Sequence, residues 1–387
     1  MTFSQTIKIV VICFFLAVLS SCQSEDKLSM DLSGEWGFKM DSLDQGIDDA
    51  WFKTNLSEGI SLPGSMAENG KGNDITVETK WTGNMWNDSL WYKDPKMKKY
   101  RQKGNVKVSF WLSPVKVYYG PAWYKKKINI PQSWENKQIN LGLERVHWES
   151  TVWVDNNKIG MENSLGTAHN YNLSEFLTPG DHTITIRIDN RIKDIDVGLD
   201  AHSVSDNTQT NWNGIVGHMQ LTATSKVSIG HVKLYPDVAN KKVSVVAKIE
   251  NFTGNTQNCD VQLEVRNKNG IKETFKKVTE KIRIDAKGEI NLDFPMGDDP
   301  LLWDEFNPNL YEMTVTLKSP LGTDTKSIDF GMRDFKAKGT IFTINDRPVF
   351  LRGTLESAIF PLTGYPPTDV DAWKRIFKII QNHGLNH

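Results

Sequence analysis

The amino-acid sequence predicts a mainly β protein with three parts: a jelly-roll β-sandwich, an immunoglobulin-like β-sandwich, and the first βα unit of an incomplete (β/α)8 barrel. Residues 28–221 consist of short segments in which apolar and polar residues alternate, separated by Asn, Gly and Pro. Residues 226–332 continue with strand-like segments at roughly ten-residue spacing, the pattern of a seven-stranded sandwich. One strong helical pattern follows near the end of the sequence.

The first 22 residues predict an export signal. The apolar and small-residue run IVVICFFLAVLSS is shorter than the about 20 apolar residues that span a bilayer, but it suits a secretory signal. It ends in Leu-Ser-Ser-Cys, which resembles the lipobox of bacterial lipoproteins and implies cleavage before Cys22 and lipidation of its sulfur. Residues 1–22 are therefore expected to be a lipoprotein signal peptide, with membrane contact through Cys22. We expect an outer-membrane or cell-surface lipoprotein; a periplasmic location and an ordinary signal peptide are the alternatives.

Composition argues against several classes of function. The net charge of −1 gives no general attraction to nucleic acid, so no nucleic-acid partner is expected. Because Cys13 would leave with the signal and Cys22 would carry lipid, Cys259 has no partner for a disulfide or a metal cluster, and we expect it to be a half-buried strand residue. The sequence contains no G-x-G-x-x-G string, P-loop or metal-ligand spacing, so neither a cofactor nor a metal is expected.

The first sandwich is predicted over residues 29–225. Segments such as AWYKKKINIP, QINLGLERV and HTITIRIDN alternate as strands do, and STVWVDNNKIG contains a hairpin turn. Eleven of the 13 Trp lie between Trp36 and Trp212. Indole faces stack on sugar rings, but aromatic side chains also dominate sandwich interiors, so core packing is the favoured interpretation. The Trp residues in strand patterns are Trp36, Trp123 and Trp153, and those in loops, which are candidates for a sugar platform, are Trp81, Trp86, Trp91 and Trp212.

The second sandwich, predicted over residues 226–332, holds the single Trp303, and the character changes again in residues 333–387. TIFTINDRPVFLRGT predicts a short strand, an Asn-Asp turn and a buried strand from Val349 to Arg352. A helix is predicted over 369–383, with Asp369 as N-cap and Gly384 after its end. Strand, loop, helix and strand start form a βα unit. The 55 residues after Met332 are far fewer than the roughly 250 of a complete barrel, so this part is expected to be a truncated TIM-barrel domain.

Several strings, in this order and spacing, resemble glycoside hydrolase family 2, the family of β-galactosidases, β-glucuronidases and β-mannosidases. LSGEWGFKMD resembles the opening strand of the family, and AWYKKKINIPQSW followed by STVWVDNNKIG resembles its sugar-binding domain. NWNGIVGHMQL is similar to the closing G-I-x-R strand, with Gly217 where the family has Arg. LLWDEFNPNLYEMTV is similar to the signature of the second domain, and FGMRDF and INDRPVFLRGT resemble the entry into the catalytic barrel.

The resemblance implies an exported hydrolase that acts on O-glycosyl bonds of terminal β-linked sugars and therefore binds carbohydrate. The family retains the anomeric configuration through two Glu residues at the ends of later barrel strands, so no catalytic residue is assigned here and the fragment is expected to be inactive alone. The substrate-binding candidates are Arg352, Glu356, Asn386, His387 and Trp212.

Each substrate-binding candidate near the barrel entry has an alternative, structural role. Glu356 follows the first barrel strand and either contacts a substrate hydroxyl or an active-site Arg, or pairs locally. Arg352 either orients carboxylates on the barrel floor or is structural. Asn386 and His387 match the second barrel strand and are expected to be disordered or exposed. Thr354-Leu355-Glu356-Ser357 replaces the V-N-x-H string of β-galactosidases, which argues against that specificity.

A long irregular stretch, residues 68–118, carries six Lys or Arg between Lys93 and Lys103. It either reaches over the barrel mouth and favours a uronic acid, or is a solvated basic loop. The alternative for the whole chain is a non-catalytic, surface-tethered glycan-binding lipoprotein.

Overall fold

A computed structural model describes residues 28–82, 94–108, 110, 114–193, 201–202, 204–206, 208, 210–270, 274–356, 366–367 and 369–387. The predicted signal peptide, Cys22, Trp86 and Trp91 lie outside the described residues. Among the residues described, no helix has the length and apolar character needed to cross a membrane. The fold is mainly β, as predicted, and the single described α-helix is Val370–Asn382.

The first region consists of two antiparallel sheets. One sheet contains, in spatial order, Ser29–Asp31, Gly214–Thr224, Gln138–His147 and His169–Asn172, with Gly64–Ser65 also paired to Gly214–Thr224. The other contains Asn157–Asn163, Glu149–Val154, Gly180–Asp189, Pro121–Ile130, Gly34–Met40 and Glu58–Leu62. The predicted hairpin turn is present, because Asp155 has a φ of 53° and connects two of these strands.

These two sheets share one hydrophobic core made of residues between 32 and 223. The alternation seen in the sequence produces it: Ile184, Ile186 and Ile188 point into the core, while Thr185 and Arg187 point to the other face of the same strand. Trp36 is buried in this core, as predicted.

The outer face of the larger sheet is covered by residues 41–54, which we call the strap. Trp123 and Trp153 project onto this face and stack with ring centroids 5.0 Å apart, beneath Trp51 and Phe52 of the strap. Both tryptophans are therefore buried, as predicted, although outside the core between the sheets. The buried Asp41 carboxylate fixes the strap, since it accepts hydrogen bonds from the Gln45 and Gly46 amides and from Trp123 Nε1.

The second region has its own core, made of residues 227–332. Its described residues form a three-stranded sheet, Val227–Asp237, Lys242–Asn251 and Lys287–Pro295, and a four-stranded sheet, Val278–Ile284, Gln257–Asn267, Tyr311–Ser319 and Gly322–Phe330. Cys259 lies in the strand Gln257–Asn267 and its thiol is free. The expectation of half burial was wrong: Cys259 is 4% exposed, because its side chain points between the two sheets into the core.

The third region begins with a three-stranded antiparallel sheet, Phe335–Lys338, Ile341–Ile344 and Arg347–Val349, with the predicted turn at Asn345 and Asp346. The helix Val370–Asn382 begins as predicted, because the Asp369 carboxylate accepts the Ala372 amide at 2.7 Å. Gly384 follows its end with a φ of 74°.

The predicted burial of Val349 to Arg352 was wrong. Phe350 is 75% exposed, and Leu351 and Arg352 are exposed as well. The physical reason is the pairing: the segment hydrogen-bonds on one edge to residues 385–387, and no described element packs over Phe350. The Asn386 amide donates to Arg352 O at 2.8 Å and the Thr354 amide to His387 O at 3.2 Å, so the two segments run parallel.

Residues 68–118 are less irregular than the sequence predicted. Their described part contains the 3-10 helix Pro95–Tyr100, a two-stranded ribbon of Arg101–Gln102 and Asn105–Val106, and a bridge between Asn73 and Val117. The remaining short 3-10 helices of the described chain are Trp51–Lys53 and Gln132–Trp134.

Candidate functional site

A cleft of about 820 Å³ lies at one end of the first region. Its walls come from the start of the strand Gly214–Thr224, from residues 65–71 and 114–118, and from the third region. The charged residues on its walls are Glu68, Lys71, Lys116, Glu144, Arg145 and Asp206, and its aromatic residues are Tyr118, Trp212 and Trp373.

Trp212 is held at the cleft by a buried amide network. The Asn190 side-chain amide donates to the backbone oxygens of Tyr118, Asn211 and Trp212, while its own oxygen accepts the Gly120 amide. Asn213 continues the network and accepts the Tyr124 hydroxyl at 2.8 Å. Because every step uses a directional hydrogen bond in the interior, the backbone that carries Trp212 is rigid.

His147 packs against the edge of Trp212, with ring centroids 4.7 Å apart at 74°. Burial, with a smaller contribution from the positive charge of Arg145, lowers the pKa of His147 to about 3. The imidazole is therefore neutral at physiological pH and supports the indole as an aromatic partner.

Trp373, which belongs to the helix Val370–Asn382, lines the same cleft as Trp212. Its Nε1 donates to Pro367 O at 2.8 Å, which fixes the indole near the start of the helix. Pro366 and Pro367 line the cleft beside it. The sequence placed Trp373 on the apolar face of the helix, and no local pattern revealed that it would meet residues more than 150 positions away.

Each carboxylate that lines the cleft accepts a hydrogen bond from another residue of the protein. Glu68 accepts the Ser65 amide at 3.0 Å, and Glu144 accepts the His218 amide at 2.6 Å. Asp206 accepts hydrogen bonds from the Thr82 amide and the Tyr119 hydroxyl. The three carboxylates therefore stabilise the loops and strands that form the cleft.

Gly217, the residue that departs from the family pattern, lies in a bulge between Val216 and Met219. It has a φ of 76°, and a side chain there would collide with the Glu144 carboxylate. The glycine therefore allows both the bulge and the Glu144 hydrogen bond that forms this part of the wall.

The remaining predicted site residues form a second group, which does not line the cleft. Arg352 Nε donates to Gly384 O at 2.7 Å, so its guanidinium ties the two parallel segments together. Asn386 is half-buried and ordered by hydrogen bonds with Arg352 N and Phe350 O, which corrects the expectation of a disordered or exposed side chain. His387 is exposed, as expected, beside Gly353, and Glu356 is exposed.

Two loop features of the sequence also lie away from the cleft. Trp81 packs edge-on against Phe110, with centroids 4.9 Å apart, so it belongs to a small hydrophobic cluster. Lys98 and Lys99 lie exposed on the 3-10 helix Pro95–Tyr100, and Arg101 Nη1 donates to Asp94 O. None of these four residues lines the cleft.

Two β regions with separate cores, an aromatic cleft at the end of the first and a short βα segment beside it define a modular β protein. The family model for the sugar binding domain of glycosyl hydrolases family 2 matches residues 86–224, and the model for glycosyl hydrolases family 2 matches residues 227–333. The chain belongs to glycosyl hydrolases family 2.

Curated relatives carry two activities in their names. A putative β-glucuronidase of Formosa agariphila is 27% identical over 60% of this chain, and a β-galactosidase of Priestia megaterium is 23% identical over 61%. The chain spans only about a quarter of these relatives: the matches cover 27% and 23% of their lengths.

Solved structures show the same fold. Bacteroides uniformis β-glucuronidase 2 is similar with a TM-score of 0.67 and 18% identity, covering 92% of this chain and 39% of that one. The β-glucuronidase of Ruminococcus gnavus, solved in complex with D-glucuronic acid, also gives a TM-score of 0.67 at 18% identity, covering 94% of this chain and 56% of that one.

Proposed function

We propose that this chain is the N-terminal part of an exported, retaining glycosidase that releases terminal β-linked sugars. Its layout would be a lipoprotein signal at 1–22, a jelly-roll sugar-binding domain at 29–225, an immunoglobulin-like domain at 226–332 and the start of a TIM barrel at 333–387. Membership of the family supports the reaction class, and the short coverage of the relatives supports a longer parent enzyme.

The observation that carries the proposal is the cleft between the first region and the helix Val370–Asn382. Two indoles from distant parts of the chain, Trp212 and Trp373, line this cleft, and its volume of about 820 Å³ falls within the usual range of ligand pockets. Aromatic faces pack on the C–H faces of pyranoses, and few rotors are frozen when they do. The first region thus supplies a binding wall against the entry of the barrel.

The chemistry of hydrolysis requires more than this wall. A retaining glycosidase holds two carboxyl groups about 5–5.5 Å apart, one a nucleophile and the other an acid with a raised pKa. The cleft contains three carboxylates among its described residues, and each accepts a hydrogen bond from a backbone amide of the protein: Glu68, Glu144 and Asp206. We therefore assign the catalytic pair to barrel strands outside this sequence.

Exposed apolar residues in the third region support the same proposal. Leu355, Phe350 and Phe377 are 87%, 75% and 54% exposed. Such a concentration of large apolar side chains marks a surface that another element covers. Further βα units of a barrel would cover it, and Arg352, Asn386 and His387 would then lie at the junction of the first two barrel strands.

The test compares this 387-residue protein with a form extended by the downstream coding sequence, on nitrophenyl β-glycosides. We expect turnover by the extended form and none above background by the 387-residue protein, with both forms folded by circular dichroism. Turnover by the shorter protein would refute the assignment of the catalytic pair. A stop codon directly after His387 would instead favour the glycan-binding lipoprotein, since the cleft would then bind sugar without hydrolysis.

A further inference from the structure

We propose that the second region docks on an anionic membrane surface through a basic pocket, which consists of Lys281, Arg283 and Lys318 around a concavity of about 570 Å³. The partner is the negatively charged headgroups of the bilayer in which the lipid on Cys22 would be inserted. This inference rests on the lipoprotein part of the proposed function and goes beyond it, because it assigns a second contact with the membrane.

The first argument is the arrangement of the three cations. Cys259 points into the core of the second region, so the next residue, Asp260, faces outward. Lys281 and Lys318 are the partners of Asp260 on the two neighbouring strands, and Arg283 lies two residues along from Lys281. Residues paired across antiparallel strands share a face of the sheet, so the three cations project from one exposed face.

The second argument is charge. Elsewhere in the second region, cations on the surface form ion pairs with carboxylates: Lys242 with Asp293, Arg266 with Glu312, Lys268 with Asp329 and Lys277 with Glu264. Within the described part of the chain, the three cations of the basic pocket form no such ion pair. Asp260 also lines the pocket, so three positive charges and one negative charge give the lining a net charge of +2. Two further carboxylates at this end of the region are matched in number by two cations, with Asp285 and Asp324 against Lys226 and Lys326.

The third argument is position, because the pocket lies at the end of the second region that joins the first. The strand Val227–Asp237 starts at this end, and its Ile229 amide donates to the Asp324 carboxylate at 2.7 Å. Thr323, the residue before Asp324, is the strand partner of Lys318. The basic pocket therefore lies beside the connection between the two regions.

The chain would leave for its lipid anchor from the same connection. The Ala223 amide donates to Leu28 O at 2.8 Å, and Val227 follows Ala223 by four residues, about 13 Å along a strand. Leu28 follows Cys22 by six residues, which span at most about 20 Å. A lipid on Cys22 would therefore hold the basic pocket within reach of the bilayer surface, and this proximity raises the effective concentration of its charges at the headgroups.

The cleft lies at the other end of the first region. Val216, which lines the cleft, precedes Ala223 by seven residues of the same strand, about 20 Å. A bilayer bound at the basic pocket would therefore leave the cleft open to solvent and to substrate.

The 3-10 helix Pro95–Tyr100 supplies a matched control, because it carries three exposed lysines at the cleft end of the molecule. It shares one small hydrophobic cluster with Trp81, and the next residue, Thr82, donates its amide to Asp206 of the cleft. Lys96→Gln, Lys98→Gln and Lys99→Gln together remove the same charge as three substitutions in the basic pocket.

The experiment uses residues 22–387 with Cys22→Ser, the proposed mature form without its lipid, which retains every residue that the structure describes. Its sedimentation with vesicles of phosphatidylcholine alone is compared with that on an equal mixture of phosphatidylcholine and phosphatidylglycerol, at low salt. We expect ~10- to 100-fold tighter binding to the mixed vesicles, since each basic side chain near an anionic surface contributes roughly a fivefold factor. Lys281→Gln, Arg283→Gln and Lys318→Gln together should abolish this preference, whereas the control variant should keep it, with both variants folded by circular dichroism.

The outcomes separate this inference from the glycosidase. Equal binding to both kinds of vesicle, or a preference that survives the three changes in the basic pocket, overturns the docking surface and leaves the proposed glycosidase standing. An equal loss in the control variant also overturns it, because overall charge rather than the pocket would then attract the bilayer. Mass spectrometry of the exported protein tests the lipid separately: an unmodified Cys22 would refute the anchor and with it this inference.

Discussion

The first and second regions are both two-sheet β structures, but they use charge and aromatic residues differently. In the first region, the strap covers stacked tryptophans and a buried ionic network in which Arg187 contacts Asp44, Glu149 and Asp189. In the second region the charged pairs are exposed, as in Arg266 with Glu312. The first region therefore carries polar groups that must stay paired, whereas the second is held by its apolar core.

The difference matters because the network lies one residue along the chain from a side chain that supports the cleft. Asp189 ends the strand Gly180–Asp189, and the next residue, Asn190, holds the backbone of Trp212. We therefore expect a disturbance of the network to shift the cleft wall through this peptide unit. Among its described residues, the second region contributes no side chain to the cleft walls.

The largest expected effect tests whether the two regions unfold separately. Trp123→Ala should lower the free energy of unfolding by about 4 kcal/mol, because it removes a fully buried indole from the stack under the strap. Urea unfolding followed by Trp fluorescence measures it, since most tryptophans lie in the first region. The matched change Phe294→Ala should move a transition seen by circular dichroism and leave the fluorescence transition in place. A shift of both transitions by either variant would show that the regions unfold as one unit.

The second prediction compares a buried ion pair of the first region with a surface ion pair of the second. Arg187→Met should lower the free energy of unfolding by about 3 kcal/mol, because it removes one of the cations that pair with the buried Asp189 carboxylate. Arg266→Ala, which removes an exposed ion pair of the second region, should cost less than about 1 kcal/mol. Urea midpoints of the two variants give the comparison, and equal costs would contradict the distinction drawn between the regions.

Acid should weaken the first region through Asp189. Burial raises the pKa of this carboxyl, but the hydrogen bonds from Arg191 and the charges of Lys193 and Arg191 outweigh burial and lower the pKa to about 2. Because the folded pKa lies below the unfolded value of about 3.9, this stabilisation is present above pH 4 or so and is lost as the pH falls toward 2. It amounts to roughly 2 kcal/mol.

Urea midpoints at pH 6 and pH 3 test that expectation by Trp fluorescence. Asp189→Asn should lose less stability between the two pH values than the unmodified protein. Asp293→Asn in the second region is the control, since its exposed carboxyl bonds to Lys242 and Ser244. An unchanged pH dependence in Asp189→Asn would rule out this carboxyl as the source.

The smallest effect lies outside both regions, at the start of the helix Val370–Asn382. Asp369→Ala removes the N-cap hydrogen bond to Ala372 and should cost about 1 kcal/mol, so that amide exchange in the first turn accelerates roughly fivefold. Asp371→Ala, which removes only an exposed contact with Lys374, should change exchange by less than twofold or so. Equal acceleration in both variants would mean that the cap adds no stability.

Local patterns in the sequence predicted what depends on neighbours along the chain. The alternation around Ile184 to Ile188, the turn at Asp155 and the cap at Asp369 each follow from a few adjacent residues, and the structure contains all three. The strap was missed because its pairing with Trp123 depends on Asp41, which lies 82 positions away.

The cleft was only partly predictable for the same reason. Trp212 was a candidate because it follows no strand pattern, but Arg145 lies in a strand and Trp373 lies on a helix, where charge and apolar character have ordinary explanations. Only the folded chain brings the three together. The prediction that Val349 to Arg352 are buried was wrong for a related reason. Apolar residues in a strand indicate that one face is to be covered, but they do not show which other element of the chain covers it.

A crystal structure of the 387-residue protein grown with a saturating methyl β-glycoside tests the central claim, that the cleft binds a β-linked sugar, most directly. The account predicts one sugar ring in the cleft, in contact with Trp212 and Trp373. A well-ordered sugar at another site, with the cleft empty, would contradict it.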